Sequence, residues 1–143
     1  MSIRQISVFV ENKQGSLVKI TDVLAKENSD LRAMSIADTQ DFGILRLIVS
    51  DTDRALEVLR RENCIVTVTD VVGARLRNEP GALATVVKVL SEGGINMEYM
   101  YAFNGATPHH AYMVLRVDDN DRVEQLLLQS GIKSITEAQV CEI

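Results

Sequence analysis

The chain has 143 residues, of which 46 % are apolar and 24 % charged, and its net charge is −5 at pH 7. This length suits one ordinary domain or two very small ones, and the negative charge argues against general binding to nucleic-acid phosphates. Because no stretch approaches the roughly 18 apolar residues that a bilayer-spanning helix needs, we expect a soluble cytoplasmic protein that does not bind membranes.

The first predicted elements along the chain are a strand, a glycine-containing turn and a helix. Ile6, Val8 and Val10 occupy every second position and so lie on one side, which is typical of a half-buried strand. After the turn, apolar residues recur at helical spacing at Leu17, Ile20 and Leu24. The chain therefore begins with a strand that turns directly into an amphipathic helix.

Three strands and a second helix follow in the first half of the chain. The patterns predict strands over 31–37, 43–49 and 64–72. Between the last two lies "SDTDRALEVLRREN" (50–63), which has acidic residues at its start and arginines near its end. This distribution of charge favours a helix, because it complements the helix dipole.

The second half of the chain repeats the first. The segment "VENKQGSLVKITDVL" (10–24) aligns with "LRNEPGALATVVKVL" (76–90), and Gly15 falls on Gly81. The second copy is two residues longer around "NGATPHHAY", after which the pair Asp53-Arg54 falls on Asp121-Arg122. We therefore predict a duplication, with copies at 1–70 and 71–143.

Each copy has the order strand, helix, strand, strand, helix, strand, with the last strand of the second copy over 132–140. Right-handed crossovers place both helices on one face of the sheet. The predicted fold is α+β, with two ferredoxin-like βαββαβ sandwiches in tandem. No Pro- or Gly-rich linker separates them, so we expect them to pack side by side. Neighbouring apolar residues such as Ile44 and Leu45 predict that a sheet face meets another surface, as in a homodimer.

The stretch "NEPGALATVVKVLSEGGIN" (78–96) places a turn before a helix and a Gly-Gly pair after it. The amides at a helix amino terminus lack intrahelical acceptors, so a carboxylate fits there. Gly81 lets a ligand approach the backbone, and Asn96 offers both a donor and an acceptor. These groups suit an amino acid, although Pro and Gly are also ordinary helix punctuation.

At these residues the chain resembles the ACT domain, a small regulatory module that binds amino acids, in two tandem copies. The resemblance implies that ligands lie between paired modules and contact the turn after strand one and the residue that begins strand two. In the second copy it indicates Asn78, Glu79, Pro80, Gly81, Ala82, Leu83 and Asn96. In the first copy the corresponding candidates are Asn12, Gln14, Gly15, Ser16, Leu17 and Asp30.

The first copy matches the family pattern less well than the second. Gln14 replaces the proline that the family favours, and Asp30 takes the place of Asn96. An acid at this position would repel a ligand carboxylate and favour an ammonium group. We therefore rank the second turn above the first as a binding site.

The remaining reactive residues give no strong functional signal. Cys64 and Cys141 form no CxxC pair, so we interpret them as small buried hydrophobes. His109 and His110 point to opposite faces if they lie on a strand, and we interpret them as solvated loop residues. No catalytic motif is present, so we predict no catalytic residues, no metal site and no cofactor.

The leading hypothesis is a non-catalytic regulatory protein that binds an amino acid or a related small metabolite and modulates a partner. The alternative is a structural or regulatory subunit that docks on an amino-acid biosynthetic enzyme without any ligand. We also expect Gly81→Val to abolish ligand binding while leaving the fold intact.

Overall fold

The computed structural model describes residues 2–38 and 40–143, apart from the side chain of Asp38. These residues form two compact units, which we call the amino-terminal unit (4–69) and the carboxy-terminal unit (70–143 with residues 2 and 3). Ile3 belongs to the carboxy-terminal unit. Its Cδ1 atom lies 2.6 Å from the position that a Cβ on Gly73 would take. The repeat boundary at residue 70 stays a prediction.

The amino-terminal unit contains the predicted order of strands and helices. Its elements are β1 (Ile3–Glu11), α1 (Ser16–Lys26), β2 (Leu31–Asp38), β3 (Phe42–Val49), α2 (Thr52–Arg61) and the first part of β4 (Val66–Arg77). The strand order is β2-β3-β1-β4, with antiparallel pairing of β1 and β2 to β3. This is the predicted βαββαβ arrangement.

The core of the amino-terminal unit lies between the sheet and its two helices. The alternation in β1 is confirmed, because Ile6, Val8 and Val10 are all buried in this core. From α1, Ile20 and Leu24 also join this core. Leu17 was predicted on the same apolar face of the helix, but it is 43 % exposed. Burial of these aliphatic side chains is the main favourable term for the unit.

The carboxy-terminal unit repeats the arrangement with one strand shared. After β4 come α3 (Ala82–Glu92), β5 (Met97–Ala102), β6 (His110–Val117), α4 (Asn120–Gln129), β7 (Lys133–Ile135) and α5 (Glu137–Val140). Strands β5, β6, β4 and β7 are neighbours in that order. The single strand β4 therefore serves as the last strand of the first copy and the first strand of the second. Among the described residues no helix has the length and apolar character needed to cross a membrane.

The last strand differs from the prediction over 132–140. Strand β7 ends at Ile135, and Thr136 begins the short helix α5 by accepting a hydrogen bond from the backbone of Gln139. The Gln139 side chain in turn accepts from the Thr136 N–H at 3.0 Å, which completes a capping box. This local hydrogen-bonding pattern starts a helix where the apolar alternation indicates a strand.

In each copy, the arginine of the repeated Asp-Arg pair binds a group at the carboxyl end of the first helix. In the amino-terminal unit Arg54 and Arg61 both donate to the carboxylate of Glu27. The bond from Arg54 lowers the pKa of Glu27 below its ordinary value, against a smaller opposing effect of desolvation. In the carboxy-terminal unit Arg122 instead donates to the backbone oxygen of Gly93 at 3.1 Å. Two different acceptors thus satisfy the same arginine position.

Helices α2 and α4 also begin with the same side-chain cap. Asp51 accepts from the backbone N–H of Arg54, and Asp119 accepts from that of Arg122, each at 3.0 Å. These bonds satisfy amides that have no acceptor within the helix.

We expect Asp119→Ala to lower the free energy of unfolding by about 1 kcal/mol, because it removes the cap of α4. Urea denaturation of the variant measures the loss. The matched control is Asp118→Ala, since Asp118 is exposed and adjacent but does not cap the helix. Equal losses from the two variants would contradict this role of Asp119.

Candidate functional site

The two glycine turns have the same backbone geometry. Gly15 precedes α1 and Gly81 precedes α3, and each has a φ of 87°. This left-handed conformation favours glycine, because other residues place Cβ too close to the backbone. No atom outside the neighbouring residues lies within 4 Å of where a Cβ would be at either glycine. Each turn therefore bends the chain sharply and leaves open space beside its backbone.

The helices that follow these turns lack side-chain caps. Neither Gly15 nor Gly81 offers a side chain, and neither α1 nor α3 has a side-chain hydrogen bond at its N-cap. The carbonyl oxygens of the glycines accept the first helical bonds, at 3.2 Å from the Lys19 N–H and 3.1 Å from the Thr85 N–H. Amides in the first turn of a helix lack intrahelical acceptors, so this end suits an anionic group.

Asn12 and Asn78 hold the neighbouring hairpins with their amide groups. The side-chain nitrogen of Asn78 donates to the oxygen of Thr107 at 3.0 Å, and that of Asn12 donates to the oxygen of Gln40 at 3.3 Å. Their backbone N–H groups also donate across, to His109 and Asp41 respectively. These asparagines therefore position the turns, and their donors are used within the protein.

In each unit, the first helix separates the glycine turn from the residue that precedes the second strand. Asn96 lies just before β5, beyond the far end of α3, and is exposed. Since α3 has 11 residues, its two ends are about 16 Å apart. Asp30 is likewise separated from Gly15 by α1, and its carboxylate accepts a bond from Arg32 at 2.8 Å. No amino acid can contact both ends within one unit.

A cavity of about 570 Å³ lies beside the first turn. Three of the predicted residues line it, namely Gln14, Gly15 and Ser16. The cavity is also lined by residues that were not predicted from the sequence, among them Phe9, Val10, Lys19, Phe42, Cys64 and Ile65. They come from β1, α1, the start of β3 and the connection between α2 and β4, and only folding brings them together.

A second cavity, of about 340 Å³, occupies the corresponding place beside the Gly81 turn. Of the predicted residues, Glu79 and Ala82 line it. Arg75 and Thr85, which were not predicted from the sequence, also line this cavity. They align with Phe9 and Lys19 of the first copy, so the two cavities occupy matching positions in the repeat.

The cysteines and histidines differ in their surroundings. Burial raises the pKa of the Cys64 thiol, whereas Cys141 is exposed, so the interpretation of Cys141 as a buried residue is wrong. His109 is exposed before β6, and His110 begins that strand. Across residues 2–38 and 40–143, no group of three or more His, Cys, Asp or Glu could hold a metal ion.

Comparisons with known proteins give both a sequence family and structural relatives. The family model described as "ACT domain pair" matches residues 1–143. Protein BT0572 from Bacteroides thetaiotaomicron is 41 % identical, with a TM-score of 0.93 over 100 % of this chain and 98 % of that one. Among curated proteins, none matches this chain.

Two more distant structures share the fold. The ligand-free regulatory subunit of aspartate kinase from Thermus thermophilus is 13 % identical, with a TM-score of 0.66 over 88 % of this chain and 90 % of that one. The corresponding subunit from Thermus flavus is also 13 % identical, with a TM-score of 0.62 over 90 % and 92 %. At this identity the similarity establishes the tandem α+β fold.

The expectation that Gly81→Val leaves the fold intact stays a prediction, but the geometry of the turn indicates a loss of stability. A valine at a φ of 87° is strained even though the space beside it is open. We expect Gly81→Val to lower the free energy of unfolding by about 2 kcal/mol, and Gly81→Asn by less, because Asn tolerates the left-handed region. Chemical denaturation measures both. Ala84→Val, on the exposed side of α3, controls for β-branching in a helix.

Alkylation of Cys64 reports on its partly buried environment. Desolvation raises the thiol pKa, the ammonium of Lys19 opposes this, and the carboxylate of Glu62 adds to it. In a Cys141→Ser variant, we expect the alkylation rate to rise with pH along a curve centred above about 8.5, the value of an unperturbed thiol. A midpoint at or below that value would contradict the effect of burial.

Proposed function

This chain belongs to the family of ACT domain pairs, and on that premise we propose that it is a non-catalytic regulatory protein that binds an amino acid or a related small metabolite at its glycine turns. One contrast supports this proposal. The helices after the glycine turns have no side-chain cap, whereas α2 and α4 are capped by Asp51 and Asp119. The uncapped ends adjoin the two cavities, so their N–H groups can donate hydrogen bonds to a ligand carboxylate.

A complete amino-acid site requires two modules. Because α3 keeps Asn96 away from Gly81, a ligand at one turn needs its second contact from another module, as the resemblance to the ACT family implies. We propose that this module belongs to a second copy of the chain in a homodimer. Exposed apolar residues on β2, Met34 and Ile36, supply surface for such an association.

This arrangement couples ligand binding to association. A ligand that touches residues of two copies binds the dimer more tightly than the monomer, and it shifts the equilibrium by that difference. We propose that a partner enzyme in the cytoplasm reads the resulting change of state. Cys64 and Cys141 are both in the thiol form, which is consistent with a reducing compartment.

The second candidate function is a subunit that docks on an amino-acid biosynthetic enzyme without a ligand. The exposed apolar side chains of Met34, Ile36 and Val87 favour it, because they offer a docking surface that needs no metabolite. Partner binding that does not change with any added metabolite would favour this function over ligand sensing.

We expect at least one of the twenty amino acids to raise the melting temperature of the chain. At one hundred times its dissociation constant, a ligand that binds only the folded state adds about 2.7 kcal/mol. Sedimentation of the same samples should show a larger dimer fraction with ligand. We expect Asn96→Ala to reduce both effects, while Gln125→Ala, an exposed change on α4, should leave them unchanged.

Two outcomes would count against this function. If no amino acid shifts the melting temperature, ligand sensing at the turns is not supported. If a ligand binds with equal strength to the Asn96→Ala variant, the second module does not contribute through that residue.

A further inference from the structure

Two of the three phenylalanines of this chain lie together at the cavity beside the Gly15 turn. The ring centroids of Phe9 and Phe42 are 5.1 Å apart, and the side chains remain 49 % and 43 % exposed. Aromatic side chains gain most from burial. An exposed pair at a cavity therefore provides a surface on which a planar apolar group can pack.

An exposed aliphatic side chain extends this aromatic surface. Ile65 also lines the cavity and is 69 % exposed. The volume of about 570 Å³ lies within the usual range for sites that bind small organic molecules. A single aromatic ring system with a short acidic side chain fits a site of this size.

The cavity combines this surface with positive charge. Lys19 lines it from the first turn of α1, and its ammonium lies 3.4 Å from the backbone oxygen of Glu62. The uncapped amino terminus of α1 adds the positive end of a helix dipole. Both features favour an anionic group.

Among the side chains that the structure describes, Glu11 is the one acidic group lining the cavity, and it is already engaged. Glu11 accepts a hydrogen bond from the ammonium of Lys13 at 2.6 Å, and this bond lowers its pKa. An ionised carboxylate paired in this way is a poor partner for the ammonium of an amino acid. The cavity therefore favours an acid that lacks an amino group.

The second copy shows that the fold does not require these residues. By the repeat, Phe9 corresponds to Arg75 and Lys19 to Thr85, and both replacements line the smaller cavity of the carboxy-terminal unit. The same βαββαβ arrangement forms there without the aromatic residue or the lysine. Their presence in the first copy is thus a property of the cavity and not a need of the core.

We propose that the cavity beside Gly15 binds an aromatic carboxylate without an amino group, its ring packed on Phe9 and Phe42 and its acid group held by Lys19 and the amino terminus of α1. This proposal rests on the proposed function, because it names the ligand class of one of the two turns. It also assigns different chemistry to the two copies.

The absence of tryptophan from the chain allows a direct binding measurement. Indole-3-acetate can be excited selectively, and its fluorescence anisotropy rises when it binds the protein. Three analogues of indole-3-acetate separate the groups that the protein could recognise. Indole-3-acetamide lacks the negative charge of the carboxylate, tryptamine carries a positive charge instead, and tryptophan adds an ammonium group to the acid. We expect indole-3-acetate to bind at least about tenfold more tightly than each of these.

Paired variants locate the site on the protein. We expect Phe42→Ala and Lys19→Gln each to weaken indole-3-acetate about tenfold. The matched control is His110→Ala, because His110 is the repeat counterpart of Phe42 and should leave the affinity unchanged. In a Cys141→Ser background, bound indole-3-acetate should also slow the alkylation of Cys64, which lines the same cavity.

Several outcomes would overturn the proposal. Tighter binding of tryptophan than of indole-3-acetate would show that an ammonium is recognised. An unchanged affinity in Phe42→Ala, or no protection of Cys64, would place the ligand elsewhere. If indole-3-acetate fails to bind while an amino acid raises the melting temperature, the ligand class is wrong and the proposed function stands. If neither binds, both fail.

Discussion

The left-handed glycine between a strand and a helix is the constraint on which the rest of this protein depends. At a φ of 87°, Gly15 and Gly81 reverse the chain without supplying a side chain that could cap the following helix. One backbone requirement thereby produces both the strand-to-helix connection of the fold and the open helix amino terminus of the candidate site. The two roles cannot be separated by mutation of the glycine alone, because any larger residue strains the turn.

The duplication gives an internal comparison of what the fold needs and what the sites need. Positions that are alike in both copies have structural roles: the capping aspartates Asp51 and Asp119 begin the second helices, and the asparagines Asn12 and Asn78 hold the hairpins. The copies also differ around the cavities, where one carries aromatic and aliphatic residues and the other carries arginines. This difference is the basis for proposing different ligands for the two modules.

The proposed regulation depends on the distance that the first helix of each unit puts between the glycine turn and the second strand. Each unit presents a turn at one end of its first helix and the start of its second strand at the other. A ligand small enough for one turn cannot bridge this length. Under the proposed function a second module completes the site, and association then becomes part of ligand binding.

The sequence alone determined the order of elements, the duplication and the glycine turns. These follow from local rules, because strand alternation, helical spacing and turn chemistry are each encoded within a few consecutive residues. The same rules failed at Thr136, where a capping box outweighs the apolar alternation of the last predicted strand. Only the tertiary structure decided the contents of the cavities and the separation of Asn96 from Gly81. Phe42 and Cys64 join the Gly15 turn through chain reversals that bring distant segments together, and sequence spacing does not encode that proximity.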